Sequence, residues 1–285
     1  MKREYSIMGH FLMILVMTLV NCSSVKAQNI ELMLSLPVTS DASIADSKGI
    51  LINLWDCCRP TEPDVLADQQ DNLYIFDFPN YRVRVTIYNK AGKKTNQFYT
   101  IYKDYHSHTA VDSQGNIYGP ISYWTVSNDR ESGIVYEIGK YSRSGKFLYG
   151  LGPNGKILNS NRIPCANYKR DLCVSSEKEY KYFKFDRGDT PPQLHVNHQN
   201  DELFTMKYET RSFDKEGKFL GVQRGKPNSY AESEKKKDAF SNAFFKKEQA
   251  ICNDQPANRT LPQNDHRYYY FIKDKTFYVY KETLK

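Results

Sequence analysis

The sequence predicts an all-β chain, a β-propeller built from four-stranded blades, and three observations predict it. Aromatic residues make up 14% of the 285-residue chain, with 22 Tyr and 15 Phe, and such side chains suit the half-buried surface of a strand. A hairpin-forming unit recurs: Ala67-Asp68 leads to Asp71-Asn72-Leu73-Tyr74, and Val111-Asp112 leads to Gly115-Asn116-Ile117-Tyr118, at an offset of 44 residues. The mean hydropathy is low, which fits many short strands joined by polar turns better than a thick α/β core.

The first segment to explain is the leader. Lys2 and Arg3 precede Phe11 to Val20, a ten-residue run that is apolar apart from Thr18. A permanent membrane helix needs about 20 apolar residues, so this run has the length of a signal-peptide core. Two processing sites fit. Val25-Lys26-Ala27 suits cleavage after Ala27, making residues 1–27 the leader and 28–285 one propeller-like domain. Leu19-Val20-Asn21-Cys22 instead resembles a bacterial lipoprotein box with Cys22 as the lipidated residue and 1–21 as the leader, although Asn21 departs from the strict pattern. Either way the chain is expected to be exported, periplasmic or anchored in the outer membrane by a lipid.

Charge narrows the partners. The formal net charge is +7, and loss of Lys2, Arg3, Lys26 and Glu4 with the leader lowers it by two. Basic and acidic residues are interleaved along the rest of the chain, so no nucleic-acid footprint stands out. Membrane contact is expected only through a lipid on Cys22. The partner is an unknown protein or small ligand.

The unit from Val65 to Phe98 reads as one blade. A short apolar strand ends in Asp68, and a polar turn with Asp71-Asn72 follows, since Asn, Asp and Gly tolerate the left-handed backbone of hairpin loops. Leu73 to Asp77 and Arg82 to Tyr88 then alternate as strands do, and Asn89-Lys90-Ala91-Gly92-Lys93 turns into a fourth strand. Four antiparallel strands in roughly 45 residues is the makeup of a propeller blade. Residues 108–150 repeat the pattern, except that Gly119 to Ser132 replaces the second connection with a lengthened loop. Residues 194–222 and 267–281 are thinner copies.

The order A-D-x-x-D-N-L-Y-I-x-D-x-x-N-x-R-V-x-V from Ala67 to Val85 resembles an NHL repeat and the wider six-bladed propeller superfamily. Asp77, Asn80 and Arg82 fall where that repeat carries its Asp, Asn and Arg, and read as hydrogen-bonding within the blade. The blade number is left between four and six, with an incomplete ring among the readings. A constant period also calls for units near residues 155 and 240. Residues 229–251 read instead as a helical insertion, with a capping pattern at Ser229 to Glu232 and Ala239, Phe240, Ala243 and Phe244 near helical spacing. Because the chain stops after two strands of a blade, Ile30 to Leu36 and Ile50 to Trp55 are expected to supply that blade's outer strands and close the ring.

The chemistry-bearing residues are sparse. No nucleophile elbow, phosphate loop or zinc-protease motif is present. Cys165 and Cys173 are the disulfide candidates, being eight apart in a chain expected to reach an oxidising compartment. Asp68 and Asp112 recur because Asp accepts hydrogen bonds from its turn. The resemblance to NHL propellers, some of which are enzymes with a channel metal, makes His106, His108, His195 and His198 candidate ligands for a divalent metal. Tyr102, Tyr105, Tyr123 and Trp124 are candidate contact aromatics in Tyr-rich stretches. The expected function is a binding scaffold without catalysis. A metal-dependent hydrolase or lyase with a His-lined channel is the alternative.

Overall fold

Five hairpins of this chain turn on loops that their own sequence specifies. Asp68, Asn89, Asp112, Ser142 and Asp214 open three-residue loops of one construction. The N–H of the opening residue donates to the carbonyl four residues on, and its carbonyl accepts from the N–H three residues on. Its side-chain oxygen accepts further bonds: Asp68 from the N–H groups of Gln70 and Asn72, Asn89 from Ala91 and Lys93, Asp112 from Gln114 and Asn116. Ser142 bonds Lys146, and Asp214 bonds Glu216 and Lys218. The third loop residue is left-handed in all five, at φ 61° for Asp71, 72° for Gly92, 79° for Gly115, 85° for Gly145 and 84° for Gly217. A type I turn closed by a left-handed residue is a common hairpin loop.

The computed structural model describes residues 30–39, 49–51, 63–77, 83–100, 108–125, 134–157, 163–164, 172–174, 183–184, 191–228, 258–259 and 266–283. Their strands, in chain order, are β1 (Ile30–Thr39) and β2 (Ile50–Leu51); β3 (Asp64–Ala67), β4 (Leu73–Asp77), β5 (Arg84–Tyr88) and β6 (Lys94–Tyr99). Next come β7 (Ala110–Val111), β8 (Ile117–Thr125), β9 (Ile134–Tyr141), β10 (Phe147–Gly152) and β11 (Gly155–Ile157). Short strands β12 (Ile163–Pro164), β13 (Leu172–Val174) and β14 (Phe183–Lys184) follow. The last are β15 (Gln193–Asn197), β16 (Glu202–Met206), β17 (Thr210–Phe213) and β18 (Phe219–Gln223), then β19 (Asn258–Arg259), β20 (His266–Lys273) and β21 (Thr276–Thr283).

These strands form four small sheets arranged as a four-bladed β-propeller. Blade I is β3-β4-β5-β6 and blade III is β15-β16-β17-β18. Blade II is β7-β8-β9-β10, enlarged by β11 at its outer edge and by β12, β13 and β14. Blade IV runs β19-β20-β21-β1-β2, so both ends of the chain meet in one sheet. Strand β1 pairs antiparallel with β21 from Ile30↔Glu282 to Pro37↔Thr276, and β2 pairs parallel with β1. This is the ring closure expected from the unfinished last blade. The blade number is four, below the six of the superfamily that the repeat resembles. Among the described residues no separate blade begins near residue 155, because β11 to β14 attach to blade II instead. The position near 240 and the helical reading of 229–251 lie outside the described residues.

Alternation on the middle strands packs blade against blade. All five residues of β4 are buried, because a propeller strand has a neighbour on both faces. Leu73 and Ile75 join Leu34, Ile50, Tyr268, Tyr270, Phe277 and Val279 between blades IV and I. Tyr74 and Phe76 point the other way, with Val85, Ile87, Val111, Ile117 and Tyr141 between blades I and II. Leu203 and Phe213 of blade III meet Tyr118, Ile138 and Leu151 of blade II in the same manner.

Arg84 with Asp77 and Arg267 with Glu282 are buried in this core as matched cross-strand pairs. Asp77 stands opposite Arg84 in the β4–β5 register, and the two side chains are 2% and 1% exposed. Arg84 Nε donates to Asp77 Oδ1 at 2.7 Å, one Nη donates to Oδ2, and Arg84 also reaches the Gly49 carbonyl at 2.9 Å. In blade IV, Arg267 stands opposite Glu282, and Tyr269 bonds both.

Candidate functional site

Strand direction alternates within each blade, so the two ends of the ring differ. The three-residue loops all fall at one end, here the turn end. The links from β4 to β5, β6 to β7 and β8 to β9 fall at the other, the crossover end.

At the turn end the tips of the blades are tied together. Asp68 is saturated by its turn, by both oxygens to Asn72 Nδ2 and by the Tyr74 hydroxyl at 3.0 Å. Asp112 binds Asn116 Nδ2 and pairs with Lys140 at 3.2 Å. Neighbouring tips then bond to each other. Ser113 of blade II donates from its N–H and hydroxyl to Asp201 of blade III, at 2.8 and 2.5 Å, and its carbonyl accepts from Gln70 of blade I at 3.3 Å. Asp71 of blade I takes Tyr268 and Lys281 of blade IV, each at 2.6 Å. Gln69 reaches across the ring axis to the His198 carbonyl, linking blades I and III. Burial acts to raise the Asp71 pKa, but the bonds from Lys281 and Tyr268 outweigh it and hold the carboxyl below its ordinary value.

Three of the four predicted histidines lie on or beside the innermost strands β7 and β15, His108 at the crossover end and His198 at the turn end. His108, beside β7, places Nδ1 3.0 Å from the Pro192 carbonyl, and since a carbonyl only accepts, that nitrogen carries the proton. His195 stacks on its cross-strand neighbour Phe204 at 6.1 Å between centroids. His198 is buried, and neither ring nitrogen has a hydrogen-bond partner among the described residues. Burial lowers the pKa of all three, that of His195 to about 4. For His198 it does so against the carboxylates of Asp201, Asp112 and Asp68. Among the described residues no three His, Cys, Asp or Glu are placed to hold a metal ion. His106 lies outside the described residues.

The crossover end carries the enlargement of blade II. The β8–β9 ladder continues to Trp124↔Ile134, past the ends of its flanking strands. Where β7 stops, β13 takes the inner side of β8, pairing Leu172 with Tyr123 and Cys173 with Trp124. Where β10 stops, β14 takes the outer side of β9, pairing Phe183 with Tyr136. Of the stretch read from sequence as an altered or lengthened loop, Gly119 to Thr125 belongs to β8, and 126–132 lie outside the described residues. Candidate aromatics Tyr123 and Trp124 sit on β8. Tyr102 and Tyr105 lie outside the described residues. Cys173 is on β13, and Cys165, Cys22 and the leader lie outside the described residues.

No family model and no curated protein matches the chain. Its function has to be argued from the propeller and these two ends.

Sequence reasoning missed Arg84, Lys140 and Lys281 as partners of Asp77, Asp112 and Asp71, and Asp201 as the acceptor for Ser113. The β4–β5 register puts Arg84 opposite Asp77, and Asn80 and Arg82, read from sequence as the partners within the blade, lie outside the described residues.

Proposed function

We propose that the chain is an exported propeller that binds a protein or small ligand through the crossover end of its ring, with no catalytic role. The observation that carries this reading is the asymmetry between the two ends. At the turn end, Asp68, Asp71, Asp112, Asp201 and Ser113 are spent on turns and on bonds between blades. At the crossover end, blade II is prolonged by β13 and β14, and the Tyr-rich stretches 99–105 and 118–124 begin or end there. A rigid ring that presents one elaborated rim is suited to recognition, since function on such folds resides in what the scaffold displays. The NHL-like order from Ala67 to Val85 supports descent from repeat propellers. The leader at 1–27 or 1–21 supports a periplasmic or lipid-anchored location.

Two measurements test this. Mass analysis of chain expressed in its native host is expected to find an N-terminus at Gln28 or at an acylated Cys22; an unprocessed chain retained in the cytoplasm overturns export. A benzoylphenylalanine photocrosslinker placed at Tyr123 is expected to give a discrete adduct in the host envelope, and the same group at Ala91 on the turn end none. Equal adducts at both positions, or none at Tyr123, overturn the assignment of the binding end.

A further inference from the structure

The four blades treat their outer edges differently. An outermost strand presents unpaired backbone N–H and C=O groups, a template on which another strand can dock. In blade II, β10 is covered by β11 from Gly150 to Gly152. In blade IV, β1 is joined by β2 at Val38 and Thr39. Blade I ends in β6, whose sequence Lys94–Tyr99 is mostly polar. Blade III ends in β18, which among the described residues pairs only with β17. That strand exposes Leu220 by 53% and Val222 by 49%, and its pairing with β17 shifts register at Leu220, between Phe213↔Phe219 and Ser212↔Gly221. Between them Gly221 has open space where a side chain would be.

The charge around β18 is one-sided. From Lys218 to Asn228 the chain carries Lys218, Arg224 and Lys226 and no acidic residue, and all three cations are exposed. Lys215 adds a fourth exposed cation at the preceding turn, with Glu216 beside it.

We propose that β18 is a strand-docking edge that takes up an extended segment of a partner protein, with alternating apolar residues at its centre and acidic residues at its ends. Backbone bonds along Phe219–Gln223 supply the affinity common to strand addition, and the side chains beside them supply selectivity. Leu220 and Val222 would be covered by two residues of the incoming strand. Lys218 on one side and Arg224 with Lys226 on the other would meet the acidic flanks and speed association. This edge lies on blade III, and the inference does not depend on the crossover-end reading above.

The test uses purified protein and a fluorescent nine-residue peptide of alternating valine and threonine between paired glutamates. Polarisation is expected to report saturable binding that weakens with added salt, and hydrogen exchange to slow at Phe219–Gln223. Leu220→Thr with Val222→Thr is expected to weaken binding about tenfold, through lost apolar burial. Lys218→Glu with Arg224→Glu is expected to transfer preference to a lysine-flanked version of the peptide. Circular dichroism melts of each variant verify that the fold is kept; if one fails to fold, competition of the unlabelled lysine-flanked peptide on the unmodified protein decides charge selectivity in its place. Absence of binding, equal binding of both peptides to the unmodified protein, or a concentration-dependent dimer that buries β18 would overturn the proposal.

Discussion

Asp68 and Gly145 show how single residues serve both a turn and a blade contact. Asp68 closes its loop through two backbone N–H groups and then holds Asn72 and Tyr74, so one carboxylate fixes both the hairpin and the ring behind it. Burial and the Asp68 carboxylate accordingly push the Tyr74 phenol pKa up. Gly145 has φ 85°, and a Cβ there would lie 2.5 Å from Cγ of Phe98 on blade I. A left-handed non-glycine residue costs about 1–2 kcal/mol before any clash. Gly145→Ala is therefore expected to destabilise the protein by about 2–4 kcal/mol in urea unfolding, strain and overpacking together. Gly221→Ala, where no atom lies within 4 Å, is expected to change stability by less than about 1 kcal/mol. Similar losses at the two positions would contradict the double role of Gly145.

Among the elements, the β4–β5 hairpin concentrates the most cost and the most return. It buries Arg84, the largest fully buried side chain described, directly opposite Asp77. Taking two charges from water costs several kcal/mol, so the pair's value lies in matching, and removing one partner leaves the other buried and uncompensated. Asp77→Ala and Arg84→Met are each expected to cost about 3–5 kcal/mol, while the double variant loses clearly less than their sum. A strictly additive double-mutant cycle would show that the two act independently. The β20–β21 hairpin takes the opposite course: its two-residue loop, Asp274 and Lys275, has φ 49° and 58°, the form that matches strand twist. There the backbone conformation is set by register, Lys273↔Thr276, rather than by an ideal turn sequence.

For the whole molecule, the ring's stability is expected to depend on pH through its buried histidines. Burial lowers the folded pKa of His108, His195 and His198 below the ordinary 6.5. The unfolded chain therefore binds these protons first as pH falls. Their contribution is complete above about pH 6.5 and declines below it until the folded values are reached. With His195 at about 4, that residue alone is expected to withdraw about 2 kcal/mol between pH 7.5 and 5. Asp71, held low by Lys281 and Tyr268, acts in a separate window below its ordinary 3.8. Urea midpoints that stay level from pH 7.5 to 5, or that fall equally in His195→Gln, would rule out the histidine origin of the effect.

Much of this architecture was legible in the chain because its information is local. The turn residues at Asp68, Asn89, Asp112, Ser142 and Asp214 specify hairpins wherever they occur, and the alternation around them specifies strands with two packed faces. The copy at 267–281 likewise raised the expectation that Ile30 to Leu36 would join its blade, and β1 pairs there with β21. What the local signals lack is any measure of distance between units. Blade number, the capture of β11 to β14 by blade II, the choice of Arg84 for Asp77, and the link from Gln69 to His198 all depend on which surfaces meet around the axis. Those contacts join residues far apart in sequence, and their energy exists only once the ring has closed.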